Sequence, residues 1–260
     1  MSELPTCEII SIGNELLTGR VVNTNSSWLA SQLTSIGWHV KRIIVIGDDL
    51  GEISKSIRDS LSRDVDCIIT TGGLGPTYDD MTLRGVAKAL RRPIQLNRSA
   101  LEMVMKKYRA MGEPITPARR KMAELPEDSL PLPNPVGTAP GVKLSVGKTT
   151  IYSLPGVPKE MEAIFLNYIK PELAELSGRK FFECDLPLEG IKESSLAPIL
   201  DEVRLKFPQI YFKSHPKCRE EEPRIVVNMS TYAEDEEYAK TLLETAKKFL
   251  LERLSICLTD

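Results

Sequence analysis

The sequence is short of histidine, of clustered cysteine and of long apolar stretches, and each shortage closes off a class of function. Only His39 and His215 occur in 260 residues, which removes most histidine-based metal centres and weakens the case for a Ser-His-Asp hydrolase. Five cysteines, Cys7, Cys67, Cys184, Cys218 and Cys257, lie far apart with no C-x-x-C pair. That spacing argues against a zinc knuckle or a disulfide framework and reads as small core residues in a reducing cytosol. The first residues, M-S-E-L-P-T-C-E-I-I-S-I-G, carry acids and too short an apolar run for a signal peptide, and no later segment approaches a membrane span. The expectation is a soluble, cytoplasmic protein with no membrane partner. Lys+Arg 34 against Asp+Glu 36 leaves a formal charge of -2, so no global basic field recommends nucleic acid as a partner. Chemistry must then run on carboxylates, lysines, hydroxyls and metal.

Two grammars follow one another along the chain. Cys7–Ile12, Val40–Ile46 and Cys67–Thr71 read as buried strands, separated by helical patterns over Thr24–Ile36 and Leu50–Leu61. Strand, helix, strand, helix, strand implies parallel pairing with right-handed crossovers, and such sheets bind ligands beyond the carboxyl ends of their strands. Helices are expected over Thr82–Leu90 and Ser99–Met111, and a short one begins in A-R-R-K-M-A-E-L and stops before Pro126. Pro131–Pro140 is proline-rich. Val142–Val146 and Thr149–Leu154 read as a hairpin through Gly147-Lys148, and a helix opens at Pro158 and fades at Pro171. From about Lys180 the pattern becomes strand, helix, strand, strand, helix: Phe181–Leu186, Ser194–Phe207, Ile210–Lys213, Ile225–Thr231 and Glu234–Leu254. Two domains are expected, 1–176 and 177–260, the second a small α+β sandwich.

The most informative stretch is T-T-G-G-L-G-P-T-Y-D-D-M-T, Thr70–Thr82, at the end of the third expected strand. Its glycines let backbone N–H groups approach a ligand and form a concave anion site. Asp79 and Asp80 add the opposite charge, which makes sense beside a phosphate if a divalent cation sits between them. I-G-N-E-L-L-T-G-R, Ile12–Arg20, is a less specific glycine turn that supplies Glu15. N-P-V-G-T-A-P-G, Asn134–Gly141, and L-P-G-V-P-K-E-M, Leu154–Met161, are rigid loops, the latter opening a helix whose first N–H groups suit an anion. Arg119, Arg120 and Lys121 read as a solvated helical face.

These four segments, together with N-T-N at Asn23–Asn25, resemble the signature segments of the amino-terminal domain of the CinA (competence/damage-inducible) family. That resemblance covers about the first two-thirds of the chain. It implies an α/β fold of three layers, with a mostly parallel sheet of the molybdopterin-binding (MogA/MoaB-like) type, followed by a small α+β domain. The second part resembles the KH-like module of that family through K-S-H-P, Lys213–Pro216, and with the sequence running to Asp260 the family's carboxyl-terminal amidohydrolase domain is not expected. The resemblance implies metal-dependent cleavage of ADP-ribose, a small-molecule nucleotide substrate, to AMP and ribose 5-phosphate, and a homodimer. Molybdopterin enzymes carry a related T-G-G-T-G loop with one aspartate; Leu74 and the doubled aspartate here favour the CinA branch.

The expected site follows. Asp79 and Asp80 hold a divalent metal (Mg, Mn or Co) and act catalytically with Glu15, which contacts metal or orients water. Gly72, Gly73 and Gly75 present amides to phosphate, Thr77 and Thr82 bind phosphate or fix the aspartates, and Gly137, Thr138 and Gly156 close the pocket. Two other readings compete: molybdopterin adenylyl transfer, and a nucleotide-sensing or nucleic-acid-binding protein without turnover. For the latter, K-S-H-P-K-C-R at Lys213–Arg219 is the only basic support, with no G-x-x-G clamp and an E-E-E run following.

Overall fold

The computed structural model describes residues 4–216 and 224–257. Two compact units divide the chain, Met1–Thr34 with Trp38–Ser177, and Ser35–Gly37 with Gly178–Asp260. Among the described residues no helix is long and apolar enough to cross a membrane.

The first unit runs β1 (Thr6–Ile12), α1 (Asn14–Leu17), α2 (Thr24–Ser35), β2 (His39–Ile46), α3 (Leu50–Ser62), β3 (Cys67–Thr71), α4 (Thr82–Leu90), β4 (Ile94–Leu96), α5 (Arg98–Ala110), α6 (Pro117–Lys121), β5 (Glu124–Pro126), β6 (Leu130–Leu132), β7 (Gly141–Val146), β8 (Thr149–Leu154), α7 (Pro158–Ile164) and α8 (Lys170–Ser177). Six strands form one sheet in the order β2-β1-β3-β8-β7-β6. The first four are parallel; β7 and β6 are antiparallel. Alternation splits the sheet's side chains between two faces. Ile10, Ile12, Ile68 and Ile151 meet Ile53 and Ile57 of α3 and Val86 of α4. Ile9, Ile69 and Tyr152 point the other way and are equally buried. On that side α2 meets the α7–α8 segment, with Trp28 edge-on to Phe165 at 5.5 Å and Lys170 donating to Gln32 at 2.8 Å. The result is a three-layer α/β fold. Because β1 is followed by β2 on one side and β3 on the other, winding reverses between β1 and β3, and a crevice opens at their carboxyl ends.

Three local expectations are corrected by the structure, two of them through strand pairing. The helix begun at Pro117 ends at Lys121, and Glu124–Pro126 instead pairs antiparallel with Ile94–Leu96. Within the proline-rich segment, Leu130–Leu132 adds an edge strand; Pro131 is tolerated there because an edge leaves one row of N–H groups unpaired. The helix from Pro158 does not fade at Pro171, because a wider π-type turn over Phe165–Ile169 leads into α8 and accommodates a residue without an N–H.

The second unit comprises β9 (Lys180–Glu189), α9 (Glu193–Lys206), β10 (Tyr211–Pro216), β11 (Arg224–Ala233) and α10 (Glu236–Cys257). Its strands pair antiparallel in the order β10-β11-β9. One face buries Leu186, Phe212, Val227 and Met229 against Leu196 and Val203 of α9 and Leu243 and Leu250 of α10. Lys217, Cys218 and Arg219 of the basic string, and Glu220–Glu222 after it, lie outside the described residues.

Candidate functional site

The crevice at the carboxyl ends of β1, β3 and β8 is a cleft of about 390 Å³. Short polar ties hold the three strand ends together. Asn25 donates to Thr71 Oγ1 at 3.1 Å and to the Gly156 carbonyl at 2.8 Å, and Thr71 donates to the Pro155 carbonyl at 3.0 Å. Asn23 accepts from Ser11 Oγ on β1 at 3.2 Å. The N-T-N string is thus a staple across strand ends.

The loop after β3 begins with a close crossing. Gly72 sits at φ 107 and Gly73 at φ 65, in the left-handed half of conformational space that favours glycine. A Cβ at Gly72 would overlap the Ile12 carbonyl oxygen. The Gly72 amide donates to the Leu154 carbonyl at 3.0 Å, so it braces β8 and is not offered to a ligand. The next three amides, of Gly73, Leu74 and Gly75, have no protein acceptor among the described residues and line the cleft. Three successive N–H groups without an acceptor are the donors that an anion-binding nest needs.

A tight turn carries the acids. The Thr77 amide donates to Asp80 Oδ2 at 2.8 Å, and the Thr77 hydroxyl lies against both Asp79 and Asp80. With the amide serving Asp80, the single hydroxyl hydrogen is available to Asp79. The Thr77 hydroxyl, then the aspartate's own amide, hold the Asp79 carboxyl below its ordinary range. From α6, Lys121 donates to the carbonyls of Thr77 and Asp80, the latter at 2.9 Å, and ties both ends of the turn. Burial lowers the Lys121 ammonium below the usual lysine range, against the opposing pull of Asp80. Lys121 is therefore no solvated face; Arg119, beside it, lies 4.1 Å over the Tyr108 ring.

Glu15, Gly72, Gly73, Gly75, Thr77, Asp79, Asp80, Thr138 and Gly156 all line the cleft. Thr82 and Gly137 do not. Thr82 is fully buried and its hydroxyl donates to the Gly72 carbonyl at 2.7 Å, bracing the loop from beneath. Gly137 lies under the carboxylate of Glu160, where a side chain would overlap it.

Two lining acids escaped the sequence reading, Asp48 and Glu160. Asp48 follows β2, the strand beside β1, so the parallel-sheet rule that singled out the end of β3 also reaches it. Its carboxylate accepts from the Asn14 amide at 2.9 Å. Burial raises the Asp48 carboxyl above its ordinary range, the Asn14 bond opposes this, and the charges of Glu15, Asp79 and Asp80 add to the rise. Glu160 accepts from Asn134 Nδ2 at 2.6 Å. The cleft wall thus carries five carboxylates and no lysine, arginine or histidine. Among the described residues no three Asp, Glu, His or Cys side chains converge closely enough to hold a metal alone. The acid pair fits magnesium's habit of taking one or two carboxylates and completing its shell with water and phosphate oxygens.

The MoCF_biosynth model, described as a probable molybdopterin binding domain, matches residues 8–175. A protein of Pyrobaculum arsenaticum is 46% identical over 248 residues, covering 95% of this chain and 93% of the relative. A protein of Aeropyrum pernix is 43% identical over 254 residues, covering 95% and 94%. Among solved structures, the protein CinA of unknown function from Thermoplasma acidophilum matches with a TM-score of 0.61 at 43% identity, covering 65% of this chain and 98% of that one. The matched residues include the nest, the acid turn and the start of α7, and the chain belongs to the MoCF_biosynth family with a CinA-like first unit.

Proposed function

We propose that the cleft binds a phosphoanhydride-containing nucleotide with a divalent cation and hydrolyses it, ADP-ribose giving AMP and ribose 5-phosphate. One observation carries this reading: three residues whose amides have no protein acceptor among the described residues, Gly73 to Gly75, line the same cleft as five carboxylates, and no cationic side chain lines it. An anionic ligand suits the amides, yet the acids repel it unless a cation arrives with it.

A bound Mg²⁺, Mn²⁺ or Co²⁺ supplies charge neutralisation on the phosphate oxygens. Asp79 and Asp80 would hold it, each prefixed by Thr77. The Gly73–Gly75 amides hold a non-bridging oxygen and favour the charge that grows on it as the bridge breaks. Glu15 orients the attacking water and takes its proton; the water oxygen joins one phosphorus while the bridging oxygen leaves with the other. Lys121 keeps the turn in register without touching the ligand.

The test incubates the protein with ADP-ribose and Mg²⁺, Mn²⁺ or Co²⁺ in turn, beside a metal-free control and Asp80→Asn, and quantifies AMP by chromatography. Metal-dependent AMP that disappears in the variant is expected; no AMP with any metal would overturn the reading. Family membership favours a second reading, adenylyl transfer to molybdopterin. Adenylylated product from molybdopterin and ATP would replace hydrolysis as the assignment.

A further inference from the structure

The string N-P-V-G, Asn134–Gly137, lies outside the cleft lining, and the amides of Val136 and Gly137 are taken up by the Asn134 side chain. Asn134 is buried, with 5% exposure. Its Oδ1 accepts from the amides of Val136 at 3.1 Å and Gly137 at 2.7 Å, and its Nδ2 donates to the Ala139 carbonyl at 2.8 Å and to Glu160 Oε2 at 2.6 Å. Every polar atom of that side chain is committed, and one commitment is to hold the Glu160 carboxylate. Gly137 leaves the space in which that carboxylate lies. The loop is a cradle for one acid on the cleft wall.

Glu160 is half-buried, and its Oε1 has no protein donor among the described residues. It also makes no ion pair among them. An ionised carboxylate only accepts hydrogen bonds; Asn134 serves one of its two oxygens, and Oε1 is left to accept from a ligand. Phosphate would be repelled by it, whereas neutral hydroxyls would satisfy it. We infer that Glu160 reads the hydroxyls of a ribose, so that the ligand of this cleft is a ribonucleotide or ribose phosphate and not its deoxy form. Thr138, next in the loop and also on the cleft wall, adds a hydroxyl beside it. The inference rests on the phosphate reading of the cleft.

The test is calorimetric titration in Mn²⁺ with two matched pairs, ADP against 2′-deoxy-ADP and ribose 5-phosphate against 2-deoxyribose 5-phosphate. Wild type is expected to prefer the ribo member of at least one pair by about tenfold, the scale of one hydrogen bond to a charged acceptor. Glu160→Gln should bring that ratio close to one without weakening deoxy binding, because the change also removes a charge that repels phosphate. Gly137→Ala, which displaces the carboxylate without removing it, should do the same in a protein that still melts cooperatively. Equal ribo and deoxy affinities in wild type, or a ratio that survives Glu160→Gln, would overturn the inference while the phosphate reading stands. No binding of any of the four by wild type would remove the phosphate reading and this inference with it.

Discussion

The two ends of the parallel sheet treat negative charge in opposite ways, and β1 carries an acid at or just past each. Near its start, Glu8 is fully buried with a complete set of partners. Its Oε1 accepts from Arg63 Nε and its Oε2 from Arg63 Nη2 and Ser60 Oγ, each at 2.6 Å, with Arg42 at 3.8 Å. At the same end Asp66 accepts from the amide and hydroxyl of Thr6 at 2.8 and 2.9 Å. Beyond the other end, Glu15 joins Asp48, Asp79, Asp80 and Glu160 on a wall without a cationic side chain. Charge at the amino end is compensated within the chain; charge at the carboxyl end is left for something from outside. The first arrangement belongs to stability, and the second is what a binding site needs.

Several experiments would break or sharpen that contrast. The largest effect is expected at the carboxyl end: Asp80→Asn should lower metal-dependent turnover at least 100-fold, while thermal melting stays level or rises because like charges are removed. A loss of activity that merely tracks unfolding would erase the distinction between the ends. At the amino end, Glu8→Ala removes the partner of Arg63, which is itself partly exposed, and should cost about 2–3 kcal/mol in denaturant unfolding, with turnover per folded molecule unchanged.

Acid titration separates the ends further. Burial by itself raises the Glu8 carboxyl, but the Arg63 and Ser60 hydrogen bonds and the charges of Arg63 and Arg42 outweigh it and hold the group below the ordinary glutamate range. A lowered folded value means that the stabilisation is fully present above the unfolded glutamate pKa and is lost as pH falls through the folded one. Glu8→Gln should therefore flatten the acid limb of the stability curve, and an unchanged limb would remove Glu8 from the account.

Smaller effects test the bracing. Lys121→Met should weaken Mn²⁺ affinity about tenfold, on the scale of hydrogen bonds to a charged donor, with Lys121→Arg restoring part of it and melting little changed. Thr82→Val should cost roughly 1 kcal/mol of stability, the net worth of the buried bond to the Gly72 carbonyl, and alter turnover only modestly.

Much of this geometry was legible from local pattern. The runs Cys67–Thr71 and Thr149–Leu154 match the strands because a fully buried strand must be continuously apolar or hydroxyl-bearing. Thr70–Thr82 pointed to the crevice because glycine-rich turns after parallel strands open there. What the pattern could not show is which donors remain free. Gly72 and Gly73 look alike in sequence, yet the Gly72 amide is consumed by Leu154 across the sheet while that of Gly73 has no acceptor among the described residues. Thr77 in the turn and Thr82 at the start of α4 look alike in sequence; one faces the acids and the other is buried beneath the loop. For Gly72 and Thr71 the deciding partners, Leu154 and Pro155, lie more than 80 residues away.

By itself the sequence determined the alternation of strands and helices, the parallel half-sheet and the edge where the crevice opens, because periodicity and turn chemistry are local properties. Only the tertiary structure decided that Asp48 joins the acids, that Lys121 locks their turn, and that Asn134 and Gly137 cradle Glu160. Those assignments rest on which side chains meet across strands and loops distant in sequence, and that follows from the packing of the whole unit.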